Sequence, residues 1–259
     1  MFYFIKKAVP VALLFCGLAA LRLPDKRPVL YVIGDSTVQN SDGNGDNAYW
    51  GWGTLLKTFL DTTKIGLLNH AKPGASTRTF ISEGRWEKVL TALKPGDFVL
   101  MQFGHNDQAA INDSTRAKGT LKGIGEENEQ IFNLKTKLPE TVHTYGWYMR
   151  RLIRETKEKG AIPVVCSLVP REKWTGNKVN RETDYVNWAG EVARSEGVSF
   201  IDINLLISQQ WEAIGPAAVK TFFPGDHTHT NLSGALLNAA TVAEGIRNAK
   251  DCPLNRFLK

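Results

Sequence analysis

The sequence predicts a doubly wound α/β fold on a parallel sheet. Strand-like apolar runs recur along the chain, and helix-like amphipathic stretches lie between them. The first run, residues 29–33, is apolar without interruption, which is typical of a strand buried on both faces of a parallel sheet. No linker, internal repeat or low-complexity tract follows it, so we expect a single domain over residues 28–250. The predicted strands are residues 29–33, 65–68, 97–103, 162–169 and 198–203.

The predicted helices lie between and after these strands. Apolar residues at helical spacing indicate helices over residues 51–60, 86–93, 144–159, 185–195, 204–214 and 233–248. Residues 108–139 instead form a long polar stretch with several glycines, directly after a predicted strand. Because loops this long in a compact domain are usually functional or disordered, we interpret the stretch as an insertion that forms one wall of a functional site.

Residues 1–23 have the pattern of a secretory signal peptide. Lys6 and Lys7 precede an apolar run, residues 8–21, which is shorter than the roughly 20 residues that cross a bilayer. We therefore expect a secreted protein, periplasmic or extracellular, with an uncleaved membrane anchor as the alternative. Small residues that suit signal cleavage are Gly17, Ala19 and Ala20.

The charge of the chain gives little support for a nucleic-acid partner. The net charge is +6, but residues 1–23 contain three basic residues and no acidic one, so the rest carries +3. No dense cluster of lysine and arginine is present. We expect no nucleic-acid partner and no stable membrane partner beyond the N-terminal segment, and the sequence makes no prediction of the oligomeric state.

Two cysteines, Cys166 and Cys252, remain after the predicted signal peptide. Two are too few for a disulfide scaffold, and Cys166 lies in an apolar run typical of a buried thiol, although a single bridge between the two stays open. No cluster of cysteine and histidine has zinc-ligand spacing, so no metal is predicted.

Gly34, Asp35 and Ser36 follow the first predicted strand. Gly34 permits a sharp turn, and Ser36 is expected just past the carboxyl end of the strand, the edge at which ligands bind in open α/β sheets. Backbone N–H groups and a helix dipole at such a place stabilise an oxyanion, which suits a nucleophilic serine. An ordinary turn with an N-capping serine is the alternative.

A second polar stretch, residues 225–231, contains Asp226, His227 and His229. Acyl transfer by a serine needs a base that takes the hydroxyl proton and an acid that orients the base. Asp226 and His229, three residues apart, supply both groups from one loop. Two alternatives stay open: a polar loop with a helix N-cap, and a metal pair of His227 and His229, for which no further ligand is visible at convincing spacing.

Two further loops follow predicted strands. Asn106 comes after the strand 97–103, so its amide, which can donate to an oxyanion, is expected at the same sheet edge as Ser36. Gly74, after the strand 65–68, offers a backbone N–H at close approach. An Asx-turn and an ordinary loop are the alternatives. All four motifs fall after strand-like runs, and this joint placement is much less expected by chance than any one motif.

These motifs resemble, in order, the four sequence blocks of the SGNH (GDSL-like) hydrolases. Over residues 28–250 the chain is similar to rhamnogalacturonan acetylesterases and related carbohydrate esterases of family 12. The resemblance implies a three-layer α/β/α sandwich on a five-stranded parallel sheet, which is flavodoxin-like. One departure is Ala75, where many relatives have arginine, and it leaves the polysaccharide context open. The motifs that carry the resemblance are Gly34-Asp35-Ser36-Thr37, Gly74, Glu83-Gly84-Arg85-Trp86, Gln102-Phe103-Gly104-His105-Asn106-Asp107, Thr144-Tyr145-Gly146-Trp147-Tyr148 and Asp226-His227-Thr228-His229-Thr230.

The resemblance also implies roles. Ser36 is the nucleophile, His229 the general base and Asp226 its orienting acid. The oxyanion donors are the backbone N–H groups of Ser36 and Gly74 and the side chain of Asn106. The implied reaction removes O-acetyl groups from an acetylated polysaccharide or oligosaccharide, rhamnogalacturonan of the plant cell wall foremost, by two-step acyl transfer without a metal or cofactor.

The chain contains seven tryptophans, and sugar sites often stack apolar ring faces on aromatic side chains. For each tryptophan singly, a place in the core or on the surface is the alternative. Other functions that the motifs permit are a lipase or thioesterase of the same superfamily, an acetylesterase for xylan or other acetylated sugars, and a sugar-binding protein without activity. The predicted substrate contacts are Trp50, Trp86, His105, Trp174 and His227.

Overall fold

A computed structural model describes residues 27–40 and 48–259, and the predicted signal peptide lies outside them. Within these residues the strands alternate with helices as the sequence predicts. The strands are β1 (Val29–Gly34), β2 (Gly66–Asn69), β3 (Phe98–Gln102), β4 (Asn128–Asn133), β5 (Leu138–His143), β6 (Ile162–Cys166), β7 (Trp174–Thr175), β8 (Lys178–Val179) and β9 (Ser199–Ile201).

The helices of this part of the chain flank the sheet. They are α1 (Trp52–Leu55), α2 (Thr77–Ser82), α3 (Arg85–Ala92), α4 (Tyr145–Glu158), α5 (Asp184–Ser195), α6 (Ile203–Ile214), α7 (Pro216–Lys220) and α8 (Leu232–Asn248). Two 3₁₀ helices, Leu56–Phe59 and Pro253–Phe257, follow α1 and α8. No helix in the described ranges is long and apolar enough to cross a membrane.

The main sheet has five parallel strands in the order β2-β1-β3-β6-β9. This order is flavodoxin-like, and the connections reverse direction between β1 and β3. The predicted five-stranded parallel sheet is therefore confirmed. Ligands of such sheets bind outside the carboxyl ends of the strands at this reversal, where Ser36 follows β1 and Asn106 follows β3.

Each face of the sheet is covered by its own apolar cluster. Along β1, Leu30 and Val32 belong to the cluster with α1, α6, α7 and α8. Tyr31 and Ile33 belong to the cluster with α2, α3, α4 and α5. Because successive side chains of a strand point to opposite faces, this alternation requires helices on both sides, and the three-layer prediction is confirmed.

The structure differs from the predicted elements in several places. Helix α7 and the short strands β7 and β8 were not predicted. The helix predicted over residues 51–60 is split into α1 and a 3₁₀ turn. Helix α2 was not predicted, since its capping box pairs Ser76 with Thr79 and lacks the usual Glu or Gln. The insertion contains β4 and leads into β5, a hairpin whose strands are mostly exposed on both faces and so lack an apolar alternation. Cys166 and Cys252 are buried free thiols, not a disulfide.

Candidate active site

Asp35 builds the turn that presents Ser36. Its backbone carbonyl accepts hydrogen bonds from the N–H groups of Val38 and Gln39 at 3.2 and 3.0 Å. Its buried carboxylate accepts from the N–H and the hydroxyl of Thr37 at 2.9 and 2.7 Å. A Cβ atom on the preceding Gly34 would lie 2.6 Å from both the backbone oxygen of Gln102 and the Val38 side chain. Glycine is therefore required here because of close packing.

Gln102, at the end of β3, supports the same turn from behind. Its buried side chain donates from Nε2 to Oγ1 of Thr37 at 2.9 Å and accepts at Oε1 from the Trp52 indole N–H at 2.9 Å. Gln102 belongs to a motif that carries the family resemblance, but no role was predicted for its side chain. The signal that could have identified its role is that Gln102 is a single amide side chain at the end of an otherwise apolar strand.

Ser36, His229 and Asp226 form a hydrogen-bonded chain. Oγ of Ser36 lies 2.7 Å from Nε2 of His229, and Nδ1 of His229 lies 2.7 Å from Oδ2 of Asp226. The other carboxylate oxygen of Asp226 accepts the backbone N–H groups of Thr228 and His229 at 2.6 and 2.8 Å. Burial disfavours the Asp226 carboxylate, but these N–H donors and the His229 ring outweigh it and lower the pKa of Asp226. This geometry is that of a nucleophile, a base and an acid that fixes the base.

The loop that carries Asp226 and His229 follows α7, so the expectation that all four motifs come after strands is wrong for this one. The loop is tied to the rest of the molecule from two sides. Arg171 donates from Nη1 to Oγ1 of Thr228 at 2.9 Å. On the other side, the backbone N–H of Trp50 donates to the carbonyl of Thr230 at 2.7 Å. These bonds hold the His229 ring in place beside Ser36.

Asn106 and Gly74, the predicted oxyanion donors, lie close to each other. Nδ2 of Asn106 donates to the carbonyl of Ala75, next to Gly74, at 3.0 Å. Gly74 has φ +78°, a backbone conformation that favours glycine. Asp107 joins the two loops because its carboxylate accepts the N–H of Thr77 at 3.0 Å and also the Thr77 hydroxyl.

A cavity of about 410 Å³ adjoins Ser36 and His229. The insertion contributes four of its lining residues and so forms one wall, as predicted. Among the described residues that line the cavity, Arg116, Lys118 and Arg171 are cationic and none is a carboxylate. The lining residues are Ser36, His105, Asn106, Gln108, Ala109, Arg116, Lys118, Arg171, Thr228 and His229.

His105 is the one predicted substrate contact that lines this cavity. Burial, together with the positive charge of Arg171, lowers the pKa of His105 to about 3, so its ring is neutral. The cavity wall at His105 is therefore uncharged.

The prediction that Trp86 contacts substrate is wrong. Its side chain is 1% exposed, packs in the core cluster of α2 to α5, and donates its indole N–H to Glu155. The indole of Trp174 donates to Glu172 at 3.0 Å and packs against the opposite cluster. Neither Trp174 nor Trp50 nor His227 is among the residues that line the cavity, and their contact with a longer substrate stays a prediction.

A metal pair of His227 and His229 was one alternative for this loop. His229 is engaged by Ser36 and Asp226. In the ranges 27–40 and 48–259, no group of three or more His, Cys, Asp or Glu side chains could hold a metal ion.

The sequence pattern of the GDSL-like lipase/acylhydrolase family matches residues 32–237. The chain belongs to this family. The matched range contains all six motifs that carry the resemblance, and the resemblance is confirmed. As a member of the GDSL-like family the chain is an ester hydrolase, and a serine nucleophile is the norm in that family.

Relatives of this chain have named activities. The chain is 31% identical over 226 residues to a rhamnogalacturonan acetylesterase of Emericella nidulans, which covers 86% of this chain and 84% of the relative. It is 29% identical over 238 residues to the rhamnogalacturonan acetylesterase RhgT of Bacillus subtilis, covering 85% and 90%.

Solved structures show the same GDSL-like fold. A crystal structure of YxiM from Bacillus subtilis superposes with a TM-score of 0.69 at 26% identity, covering 86% of this chain and 57% of that chain. An acetylxylan esterase from Geobacillus stearothermophilus gives a TM-score of 0.55 at 17% identity, covering 84% and 93%. The second likeness, at this level of identity, concerns the fold alone.

Proposed function

We propose that this esterase is secreted and removes O-acetyl groups from an acidic plant cell-wall polysaccharide, rhamnogalacturonan foremost. The observation that carries the proposal is the hydrogen-bonded chain of Ser36, His229 and Asp226 beside a cavity lined by cations. Two relatives that carry the name rhamnogalacturonan acetylesterase support the same class of substrate.

The charge of the cavity favours an acidic polymer. Rhamnogalacturonan carries the carboxylates of its galacturonate residues, whereas the main chain of xylan is neutral. Arg116, Lys118 and Arg171 attract carboxylates, and a cleft with one sign of charge concentrates ligands of the opposite sign. Many relatives have an arginine at the position of Ala75. The rim of this cavity is cationic without that arginine, since the insertion and the chain after β6 supply cations.

The first half of the reaction is acylation of Ser36. Nε2 of His229 takes the hydroxyl proton as Oγ attacks the acetyl carbonyl carbon, and Asp226 stabilises the resulting imidazolium. The carbonyl oxygen becomes an oxyanion within reach of the Asn106 amide and the backbone N–H groups of Ser36 and Gly74. The bond to the sugar oxygen then breaks, and His229 protonates that oxygen.

The second half releases acetate. A water molecule gives its proton to His229 and attacks the acyl carbon, and the proton returns to Oγ of Ser36 as acetate leaves. Apart from this water molecule, every proton transfer is between groups of this chain and the substrate.

A lipase-like activity fits the cavity less well. Long acyl chains need an apolar channel, and among the described lining residues Ala109 is the one apolar side chain. Turnover of p-nitrophenyl acetate should therefore greatly exceed that of p-nitrophenyl octanoate.

The test is acetate release from acetylated rhamnogalacturonan, acetylated xylan and acetylated small sugars. We expect the highest kcat/KM on rhamnogalacturonan and none with Ser36→Ala, since removal of one member of such a triad typically costs on the order of 10⁴- to 10⁶-fold. Arg116→Met should raise KM for rhamnogalacturonan far more than KM for p-nitrophenyl acetate. Equal kcat/KM on xylan, with no effect of Arg116→Met, would contradict an acidic substrate.

Secretion rests on the pattern of Lys6, Lys7 and the apolar run 8–21. The full chain should appear outside the cytoplasm of the expressing cell, with a new N-terminus near residue 23. Retention of the whole chain in the membrane fraction would indicate an anchor instead.

A further inference from the structure

Lys118 lies between two predicted oxyanion donors, the side chain of Asn106 and the backbone of Gly74. Its ammonium donates to Oδ1 of Asn106 at 2.6 Å and to the backbone carbonyl of Gly74 at 3.3 Å. We propose that Lys118 is a positioning residue for the oxyanion hole, which it serves by fixing the orientation of the Asn106 amide. This inference rests on the proposed serine esterase mechanism.

The contacts of Asn106 determine which end of its amide faces which neighbour. The Lys118 ammonium can only donate, and the Ala75 carbonyl can only accept. A reversed amide would set its NH₂ group against the ammonium and its oxygen against the carbonyl, so two hydrogen bonds would become two repulsions. An amide nitrogen has two N–H groups, so one remains for the oxyanion after the bond to Ala75.

Lys118 also improves the donor that it orients. A cation at the amide oxygen draws electron density from the amide nitrogen, and hydrogen bonds in such a chain strengthen one another. The structure thus gives this lysine an effect that grows as the transition state is approached, which should appear in kcat more than in KM.

The backbone on either side of Lys118 is held firmly. Gly119 donates its N–H to the carbonyl of Ala110 at 3.0 Å, and its own carbonyl accepts from Arg78 at 2.8 Å. Thr120 donates its N–H to the carbonyl of Asp107 at 3.1 Å, next to Asn106. Lys118 is half-buried, and burial together with Arg116 lowers its pKa. The ammonium is therefore placed by the fold and not by an incoming substrate.

The experiment uses p-nitrophenyl acetate, a neutral substrate that has no carboxylate for Lys118 to bind. Lys118→Met should lower kcat roughly 10- to 50-fold with KM within about twofold, a smaller loss than the 10²- to 10³-fold of removing an oxyanion donor. Lys118→Arg, which keeps the charge, should recover most of this loss. Lys122→Met, an exposed lysine of the same insertion away from the cavity, is the matched control and should behave as wild type.

A double-mutant cycle decides whether Lys118 acts through Asn106. The variant with both Lys118→Met and Asn106→Ala should be no slower than Asn106→Ala alone, because the lysine has lost the group that it orients. Losses that multiply, or a wild-type kcat for Lys118→Met, would overturn the proposal. If Lys118→Met does not fold, as judged by circular dichroism, Lys118→Gln replaces it in the same cycle.

The same assays separate this inference from the proposed function. An active wild type, an inactive Ser36→Ala and an unaffected Lys118→Met would reject the role of Lys118 alone. Wild-type kcat in Ser36→Ala would overturn the serine mechanism and the role of Lys118 with it.

Discussion

His229 and Asp226 are three residues apart in one loop, and Nδ1 of His229 lies 2.7 Å from Oδ2 of Asp226. The same carboxylate accepts the His229 backbone N–H at 2.8 Å, so backbone and ring are fixed by one aspartate. The contact that His227 makes with Glu172 is through its backbone, whose carbonyl accepts the N–H of Glu172 at 2.7 Å. The loop thus distinguishes its two histidines by geometry.

The first prediction follows from this distinction. His229→Ala should be nearly inactive on p-nitrophenyl acetate, since the Ser36 proton then has no acceptor at 2.7 Å. His227→Ala should keep most of its activity and serves as the matched control. Both variants should fold, which circular dichroism checks. An inactive His227→Ala beside an active His229→Ala would mean that the base has been assigned to the wrong histidine.

The second prediction concerns the oxyanion. Asn106→Ala should lower kcat roughly 10²- to 10³-fold, with little change in KM, because the amide bonds more strongly as charge develops on the oxygen. Asn112→Ala, an asparagine of the insertion that contacts the hairpin through Phe132 and Leu134, is the comparison and should affect stability more than kcat. Steady-state kinetics separate the two constants. A raised KM with normal kcat in Asn106→Ala would assign this side chain to ground-state binding.

The sequence predicts the sheet well because its signal is local. Each strand of the main sheet is an apolar run bounded by turn residues, and the motif residues directly follow β1, β2 and β3. The topology then brings Ser36 and Asn106 to one edge. The pairing of the Ser36 turn with the distant His229 loop has no such local signal, because this loop follows a helix. It was inferred from the chemistry that a serine nucleophile needs and from the resemblance to a family.

What the sequence does not predict depends on contacts between distant segments. Gln102, Lys118 and Arg171 are unremarkable polar residues until the fold sets them against Thr37, Asn106 and Thr228. Trp86 is the opposite case, a residue that was predicted in the site but lies in the core. An indole on an amphipathic helix suits a cleft or a core equally, so the sequence alone does not decide between them. Its burial against α4 follows from the face of α3 that meets the sheet.

The third prediction is a pH dependence of stability that originates at Asp107. Burial is the main cause that raises the pKa of Asp107 from 3.8 to about 7. The folded protein therefore holds a proton that the unfolded chain releases, and this group's contribution to the free energy of unfolding falls as pH rises from about 4 to 7. The asparagine of Asp107→Asn does not titrate. The free energy of unfolding of this variant should therefore rise relative to that of wild type across this window, by at most about 1.4 kcal/mol per pH unit.

Urea unfolding of both proteins at several pH values between 4 and 7 measures this difference. Asp113→Asn is a control without a slope in most of this window. Hydrogen bonds from the Arg116 N–H and from Thr115 hold the pKa of Asp113 below its ordinary value of 3.8, so above about pH 5 the group is ionised in both the folded and the unfolded chain. The difference in stability between Asp113→Asn and wild type should therefore change little between about pH 5 and 7. Parallel curves for Asp107→Asn and wild type would show that Asp107 does not titrate in this range.

The fourth prediction is that Arg78 anchors the insertion. Its side chain is 1% exposed and donates from Nε to Oε1 of Glu140 at 2.7 Å and from Nη2 to the second carboxylate oxygen. Nη1 donates to the carbonyls of Ile111 and Gly119 at 2.7 and 2.8 Å. Lysine cannot reproduce this planar fork, so Arg78→Lys should lower the free energy of unfolding by roughly 2–4 kcal/mol.

Arg78→Lys should also disturb the catalytic site, because Arg78 holds Gly119 and Gly119 adjoins Lys118. Arg78→Lys is therefore expected to lower kcat and to speed proteolytic cleavage within residues 108–127 in the folded protein. Arg85→Lys is the matched control: Arg85 pairs with Glu83 at 3.3 Å on the surface, where such a pair contributes about 0–1 kcal/mol. If Arg78→Lys were as stable and as resistant to protease as Arg85→Lys, the insertion would be held by its other contacts, and the bond from Asn112 to Phe132 would be the next to test.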